Sequence, residues 1–105
     1  MAGFAVTLHG RIWVTPEAIA SQIANGHSWD KHQGEFPGWS QGDFQRAVEE
    51  TIQSPDDVKG LSDGRTAYWN DKESMVVIHD PSSPDGGTAF RPTDGKAYFD
   101  SPNLR

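Results

Sequence analysis

Two histidines, a lysine and two carboxylates lie close together in Gly26–Phe36, which reads GHSWDKHQGEF. At the centre of this stretch, Lys31 stands directly before His32. A histidine can take or give a proton near neutral pH, and an adjacent lysine can hold an oxyanion while the proton moves. The alternative is that both are ordinary surface residues flanking a buried Trp29 and Phe36. This stretch is the first candidate for chemistry.

Composition limits the classes of protein to consider. The chain has 105 residues, which indicates a single domain (1–105), and it lacks cysteine, which excludes disulfides and thiolate metal sites. A net charge of -6 argues against nonspecific nucleic-acid binding, although a local cluster such as Lys31, Arg65, Arg91 and Lys96 could still form a phosphate site. No run approaches the ~20 apolar residues of a membrane span, so we expect a soluble, cytoplasmic protein without membrane contact.

The N-terminal quarter of the chain predicts one strand and one short helix. Apolar residues alternate from Phe4 to Val14, which indicates a strand with a possible bulge at Gly10. Thr15 and Pro16 then supply a helix cap and a first helical residue, and the Asn-Gly pair at residues 25 and 26 ends the helix.

The middle of the chain predicts a second, longer helix. Ser40 followed by Asp43 resembles a capping box, and apolar residues recur at helical spacing through Gln41–Gln53. Before it, Trp29–His32 should form one helical turn. After it, Ser54–Gly64 is rich in Pro, Asp, Gly and Ser and is predicted to be a connection.

The last forty residues predict an antiparallel sheet of four strands. The strands are expected at Arg65–Trp69, Met75–Ile78, Thr88–Arg91 and Lys96–Phe99, and residues 100–105 are expected to be a frayed tail. The fold class is therefore α+β, with an N-terminal strand and short helices packed on a C-terminal antiparallel sheet.

An ordered set of segments resembles the tRNA-cleaving domain of colicin D and the related toxin domains of contact-dependent inhibition proteins. The segments are KHQGEF at Lys31–Phe36, FQRAVEETI at Phe44–Ile52, YWNDKESMVVI at Tyr68–Ile78 and TAF at Thr88–Phe90. The resemblance covers residues 26–99 and leaves the first 25 outside it. It implies a small bacterial toxin ribonuclease fold, of the barnase, colicin and messenger-RNA-interferase type, with metal-independent cleavage.

The resemblance also implies roles for individual residues. His32 matches the catalytic histidine of the family, and Lys31 matches the lysine before it. Thr88 matches a serine and Phe90 a tryptophan, so both side chains are changed. Trp29 stands where the family member has a further lysine, which removes a phosphate contact and bears on the substrate more than on the reaction.

These residue types suit cleavage of RNA by its own 2′-hydroxyl. His32 could act as the base or the acid, and Lys31 would supply fixed positive charge. Arg65 and Arg91 are candidates for two-point contact with phosphate, and Thr88 could donate its hydroxyl to a phosphate oxygen. The expected products are a 2′,3′-cyclic phosphate and a 5′-hydroxyl.

Further residues are candidate substrate contacts. Thr88 and Phe90 should face the same side of a strand, so that the ring could stack on a base beside the hydroxyl. His27, Lys96 and Tyr98 are weaker candidates, because His27 could be a loop or capping residue and the others surface and sheet residues. No histidine pair has the usual ligand spacing, so neither a metal nor a cofactor is expected.

Three functions follow as hypotheses. The first is a cytotoxic endoribonuclease that acts on RNA, in particular tRNA, and is silenced by a cognate immunity or antitoxin protein. The second is a non-catalytic protein-binding module on the same fold, with the acidic surface as its interface. The third is an antitoxin or inhibitor whose acidity mimics nucleic acid. Whether the chain is a free-standing toxin or part of a larger effector stays open.

Overall fold

The computed structural model describes residues 15–105 in full and residues 7–9 and 12–14 by their backbone alone. In chain order the elements are β1 (Thr7–His9), β2 (Ile12–Val14), α1 (Pro16–Asn25), α2 (His27–His32), a 3-10 turn (Gln33–Glu35), α3 (Gln41–Gln53), β3 (Asp57–Gly60), a second 3-10 turn (Ser62–Gly64), β4 (Thr66–Asn70), β5 (Met75–His79), β6 (Gly87–Phe90) and α4 (Lys96–Asp100). The main sheet is antiparallel with strand order β3-β4-β5-β6. The predicted α+β class is confirmed.

Helices α1 and α3 begin where their capping residues predicted. Oγ1 of Thr15 accepts the backbone N–H of Ala18 at 3.1 Å, with Pro16 in the first turn. At α3, Ser40 Oγ accepts the N–H of Asp43 at 3.1 Å, and the Asp43 carboxylate accepts the N–H of Ser40 at 3.0 Å. These bonds satisfy N–H groups that the first turn of a helix leaves without intrahelical partners.

The sheet lies between two apolar layers. Helices α1 and α3 cover one face, where the buried core is formed by Ile19, Ala20, Ile23, Ala24, Phe36, Phe44, Ala47, Val48, Ile52, Met75, Val77 and Ala89. Helix α4 and the C-terminus cover the other face, with Ala67, Trp69, Val76, Ile78, Phe99 and Leu104. Every residue of β5 is buried because the strand alternates between the two layers.

The prediction of one strand from Phe4 to Val14 is wrong in its second half. Residues Thr7–His9 pair antiparallel with Ile12–Val14, so the chain reverses between His9 and Ile12 and forms a separate two-stranded sheet. An alternating pattern reports the period of a strand but not a reversal within it. The predicted bulge at Gly10 and the start of the strand at Phe4 lie outside the described residues.

The C-terminal predictions need two corrections. Lys96–Asp100 is helix α4 rather than a fourth strand, and four residues are too few to separate a period of two from a helical one. The tail is not frayed at its end, because Leu104 is buried and the carbonyl of Arg105 accepts a bond from Arg65 at 2.7 Å. The predicted connection also contains strand β3.

Candidate active site

His32 lies at the C-terminal end of α2, where its ring is fixed on two sides. Its Nδ1 atom is 2.6 Å from Oε2 of Glu35, and its ring stacks on Phe90 with centroids 5.4 Å apart and planes at 28°. The side chain is 15% exposed. Because an ionised carboxylate can only accept a hydrogen bond, Nδ1 carries the proton in this pair. The Nε2 atom is left for proton transfer or for a substrate.

Glu35 is itself held by the end of β6. Its Oε1 atom accepts the backbone N–H of Arg91 at 2.8 Å, while its own carbonyl accepts a bond from the Arg91 guanidinium at 3.0 Å. Glu35 was not among the site residues predicted from the sequence. The available signal was its spacing, since a residue three positions after His32 lies one helical turn away.

Ser28 anchors α2 to the same strand. Its buried hydroxyl accepts the backbone N–H of Ala89 at 3.0 Å and donates to the Ala89 carbonyl at 3.1 Å. Oγ1 of Thr88 lies 3.1 Å from it. Glu35 accepts the N–H of Arg91, two residues further along the same edge. Helix α2 and the turn after it therefore cover the outer edge of β6, which protects this edge from pairing with another strand. Ser28 was not predicted from the sequence, because its partners Thr88 and Ala89 lie 60 and 61 residues away along the chain.

The structure brings His32, Phe90 and Tyr98 into one group. Phe90 stacks on His32, and the ring of Tyr98 meets Phe90 edge-on with centroids 5.5 Å apart. Thr88 lies two residues from Phe90 on β6, as predicted, but its hydroxyl is directed to Ser28. No hydrogen bond joins Thr88 to His32 within residues 15–105.

Lys31 and His27 lie on a neighbouring side of α2, four residues apart. Lys31 is exposed, and it has no hydrogen bond or ion pair with any residue that the structure describes. His27 is 63% exposed and binds the Asp85 carboxylate through Nδ1. Lys31 is therefore a cation available to a ligand beside His32, and His27 is a second histidine with one ring nitrogen fixed.

All three guanidinium nitrogens of Arg91 donate hydrogen bonds to the protein. Its Nε and Nη2 atoms each donate to Glu73 at 2.8 Å, and Nη1 donates to the carbonyl of Glu35. The guanidinium also lies over the rings of Phe36 and Trp39, 4.6 and 5.0 Å from their centroids. Arg91 joins the β4–β5 turn to the turn that carries Glu35, and a phosphate contact by Arg91 would compete with these bonds.

Arg65 and Lys96 bind partners outside the His32 group, although Lys96 shares helix α4 with Tyr98. The Arg65 guanidinium donates to the C-terminal carbonyl of Arg105 at 2.7 Å. The Lys96 ammonium binds Asp100 at 2.9 Å and Asp57 at 3.1 Å, and these bonds raise the pKa of Lys96, with Asp100 the larger cause. Within residues 15–105, neither cation makes a hydrogen bond or ion pair with His32, Phe90 or Tyr98, so their predicted roles stay predictions.

No protein-family model matches this chain, and no curated protein is similar to it in sequence. Within the part of the chain that the structure describes, no helix is long and apolar enough to cross a bilayer. The same residues contain no group of three His, Asp or Glu side chains placed to hold a metal ion. The geometry around His32 is the basis of the function proposed below.

Proposed function

We propose that this protein is an endoribonuclease that cleaves RNA without a metal ion, with tRNA as the expected substrate and His32 as the group that moves the proton. One observation carries the proposal. Glu35 holds Nδ1 of His32 at 2.6 Å while Phe90 stacks on the ring, so the imidazole has a fixed direction and a defined reactive nitrogen. A base oriented by a carboxylate is a recurring arrangement in proton-transfer catalysis.

The reaction needs no group that the chain lacks. Nε2 of His32 takes the proton of a ribose 2′-hydroxyl, and the 2′-oxygen forms a bond to the adjacent phosphorus. The bond from phosphorus to the 5′-oxygen breaks, the leaving oxygen takes a proton from water, and the hydroxide that remains takes the proton back from His32. The products are a 2′,3′-cyclic phosphate and a 5′-hydroxyl. Lys31 offsets the charge that gathers on the phosphoryl oxygens.

The proposal relies on Lys31 as its phosphate-binding cation. Arg65, Arg91 and Lys96 already donate to protein oxygens. Trp29, which stands where the resemblance has a second lysine, packs on Phe44 with centroids 5.2 Å apart. We therefore expect weaker electrostatic binding of RNA than a basic nuclease would have.

The cellular setting follows from the proposed chemistry. A nuclease that cuts tRNA acts where tRNA is, in the cytoplasm of the producing or the target cell. Its own cell would need protection, so the proposal includes a cognate immunity or antitoxin protein that covers the His32 site.

The test is cleavage of tRNA by the purified chain in the presence of EDTA. We expect cyclic phosphate ends, no cleavage where a 2′-deoxy nucleotide replaces the one at the cut, and a rate at least ~10²-fold lower for His32→Ala. Gln33→Ala is the matched control, since Gln33 is the exposed neighbour of His32. A requirement for Mg²⁺, equal cutting of DNA, or undiminished cleavage by a folded His32→Ala variant would refute the proposal.

A protein-binding module is the second candidate, and one observation favours it. Val58 is 51% exposed on β3, an edge strand of the main sheet. An apolar residue on an open strand edge is suited to pairing with a strand of another protein. Toxicity that persists in the His32→Ala variant would favour this function over catalysis.

A further inference from the structure

A cleft that the proposed reaction does not use opens beside Tyr98. Its volume is about 320 Å³, and Asp94, Ser101 and Asn103 contribute to its wall. Sites for small molecules start at about 300 Å³. The ring of Tyr98 contacts Phe90, and Phe90 in turn stacks on His32. Two rings in contact, those of Tyr98 and Phe90, therefore connect the wall of this cleft to the imidazole of the proposed active site.

Several polar groups in the cleft are available to a ligand. Within residues 15–105, the carboxylate of Asp94, the side-chain amide of Asn103 and the hydroxyl of Tyr98 make no hydrogen bond or ion pair with other described residues. Asp57 and Asp100, by contrast, both bind Lys96. The residues that line the cleft thus include an uncommitted acid, Asp94, an uncommitted amide, Asn103, and the aromatic Tyr98.

We infer that this cleft binds a guanine base of the RNA substrate, an inference that rests on the proposed function. A carboxylate repels phosphate, so the Asp94 side of the cleft should receive a base rather than the backbone. The ring of Tyr98 supplies a stacking surface, which single-stranded RNA uses regardless of base. The carboxylate then selects among the bases.

Hydrogen-bond chemistry points to guanine among the four bases. A carboxylate offers two acceptor oxygens side by side. Guanine has two adjacent donors on its Watson–Crick edge, N1–H and the N2 amino group. Adenine and cytosine have one amino group next to an acceptor nitrogen, and uracil has one N–H between two carbonyls. Only guanine can fill both oxygens of Asp94 at once, and Asn103 can donate to its O6 atom.

The test is an NMR titration of the ¹⁵N-labelled chain with the 5′-monophosphates of guanosine, inosine, adenosine, cytidine and uridine. All five carry the same phosphate, so differences between them report on the base. We expect shifts at Tyr98 and Asn103 with guanosine monophosphate, at an affinity about tenfold or more above that for the other three standard nucleotides. Inosine monophosphate lacks the amino group and should bind with intermediate affinity.

Asp94→Asn should remove the preference, because an amide has only one acceptor oxygen. Asp63→Asn is the matched control, since it makes the same charge change at an exposed position outside the cleft. Equal responses to all nucleotides, no response at the cleft, or an unchanged preference in Asp94→Asn would overturn the guanine site.

Failure of the guanine-site inference can be distinguished from failure of the ribonuclease proposal. RNA cleavage without any guanine preference would leave the reaction in place and refute the guanine site. Selective binding of guanosine monophosphate by a chain that does not cleave RNA would support the guanine site and refute the reaction.

Discussion

The carboxylate of Glu35 lies 2.6 Å from Nδ1 of His32, and its other oxygen accepts the backbone N–H of Arg91 at 2.8 Å. One side chain thus fixes the imidazole to the end of the sheet. Glu35 lies in the 3-10 turn after α2 and orients His32 while it is bound to the end of β6. Replacing Glu35 should therefore disturb the orientation of His32.

Glu35→Gln should slow RNA cleavage by between about tenfold and about 10⁴-fold, with little change in KM. When the amide oxygen accepts the Arg91 N–H, the NH2 group faces Nδ1 of His32 and can only donate, so the ring proton moves to Nε2 and the reactive nitrogen can no longer act as a base. Single-turnover cleavage rates and circular dichroism measure activity and fold. Glu50→Gln, at an exposed position on α3, should match the wild type. An equal loss in both variants would contradict a positioning role for Glu35.

Lys31→Ala should lower kcat/KM for RNA about tenfold or more, because Lys31 supplies the phosphate-binding charge in the proposed mechanism. The salt dependence gives a second measurement. With one contacting cation, the slope of log affinity against log salt should be near ~-0.7 for the wild type and near zero for the variant. Lys72→Ala removes an exposed lysine of the β4–β5 turn and serves as the control. A steep slope that survives Lys31→Ala would mean that other cations bind the backbone.

Ser28→Ala should destabilise the fold by about 1–3 kcal/mol, since it leaves the N–H and carbonyl of Ala89 buried without their hydroxyl partner. The free energy of unfolding from urea titration measures this cost. Ser82→Ala, at an exposed loop position, should change it by less than about 0.5 kcal/mol. If Ser28→Ala lowered the free energy of unfolding by no more than Ser82→Ala, either water would replace the hydroxyl or α2 would not bind β6 through Ser28.

The α3 cap should make part of the stability depend on pH. Hydrogen bonds from the backbone and side chain of Ser40 hold the pKa of Asp43 below its ordinary value of 3.8. A carboxyl with a lowered folded pKa stabilises the fold above its unfolded pKa, and this contribution is lost as pH falls through the folded pKa. The wild type should therefore exceed Asp43→Asn in urea midpoint at pH 7, and the difference should begin to shrink near pH 3.8 and be lost as the pH falls through the lower folded pKa. Asp63→Asn makes the same charge change outside the α3 cap and is the matched control.

Local signals in the sequence were enough for much of the fold. The caps at Thr15 and Ser40, with helical spacing as far as residues 25 and 53, predicted α1 and α3. An apolar run predicted β5, and the turns and loops on either side predicted β4 and β6. These signals act over three to five residues, so they can be recognised without knowing what the segment packs against. The same holds for the Lys31-His32 pair, whose residue types alone made it a candidate for chemistry.

Short segments were decided by their surroundings. Lys96–Asp100 is a helix whose Phe99 packs in the second core layer, and the sequence Lys-Ala-Tyr-Phe is compatible with a strand as well. The edge of β6, where a further strand would have paired, is occupied by Ser28 and Glu35. Propensity is weak over five residues, so tertiary contacts determine which structure forms.

The sequence by itself determined the α+β class, the two capped helices, the central strands and the candidate histidine. Only the tertiary structure decided that Glu35 orients His32, that Ser28 binds a strand 61 residues away, and that Arg91 is engaged by Glu73 rather than open to phosphate. The physical reason is range. Caps and periodicity are properties of neighbouring residues, whereas the free atoms of a site depend on which distant segments the core brings together.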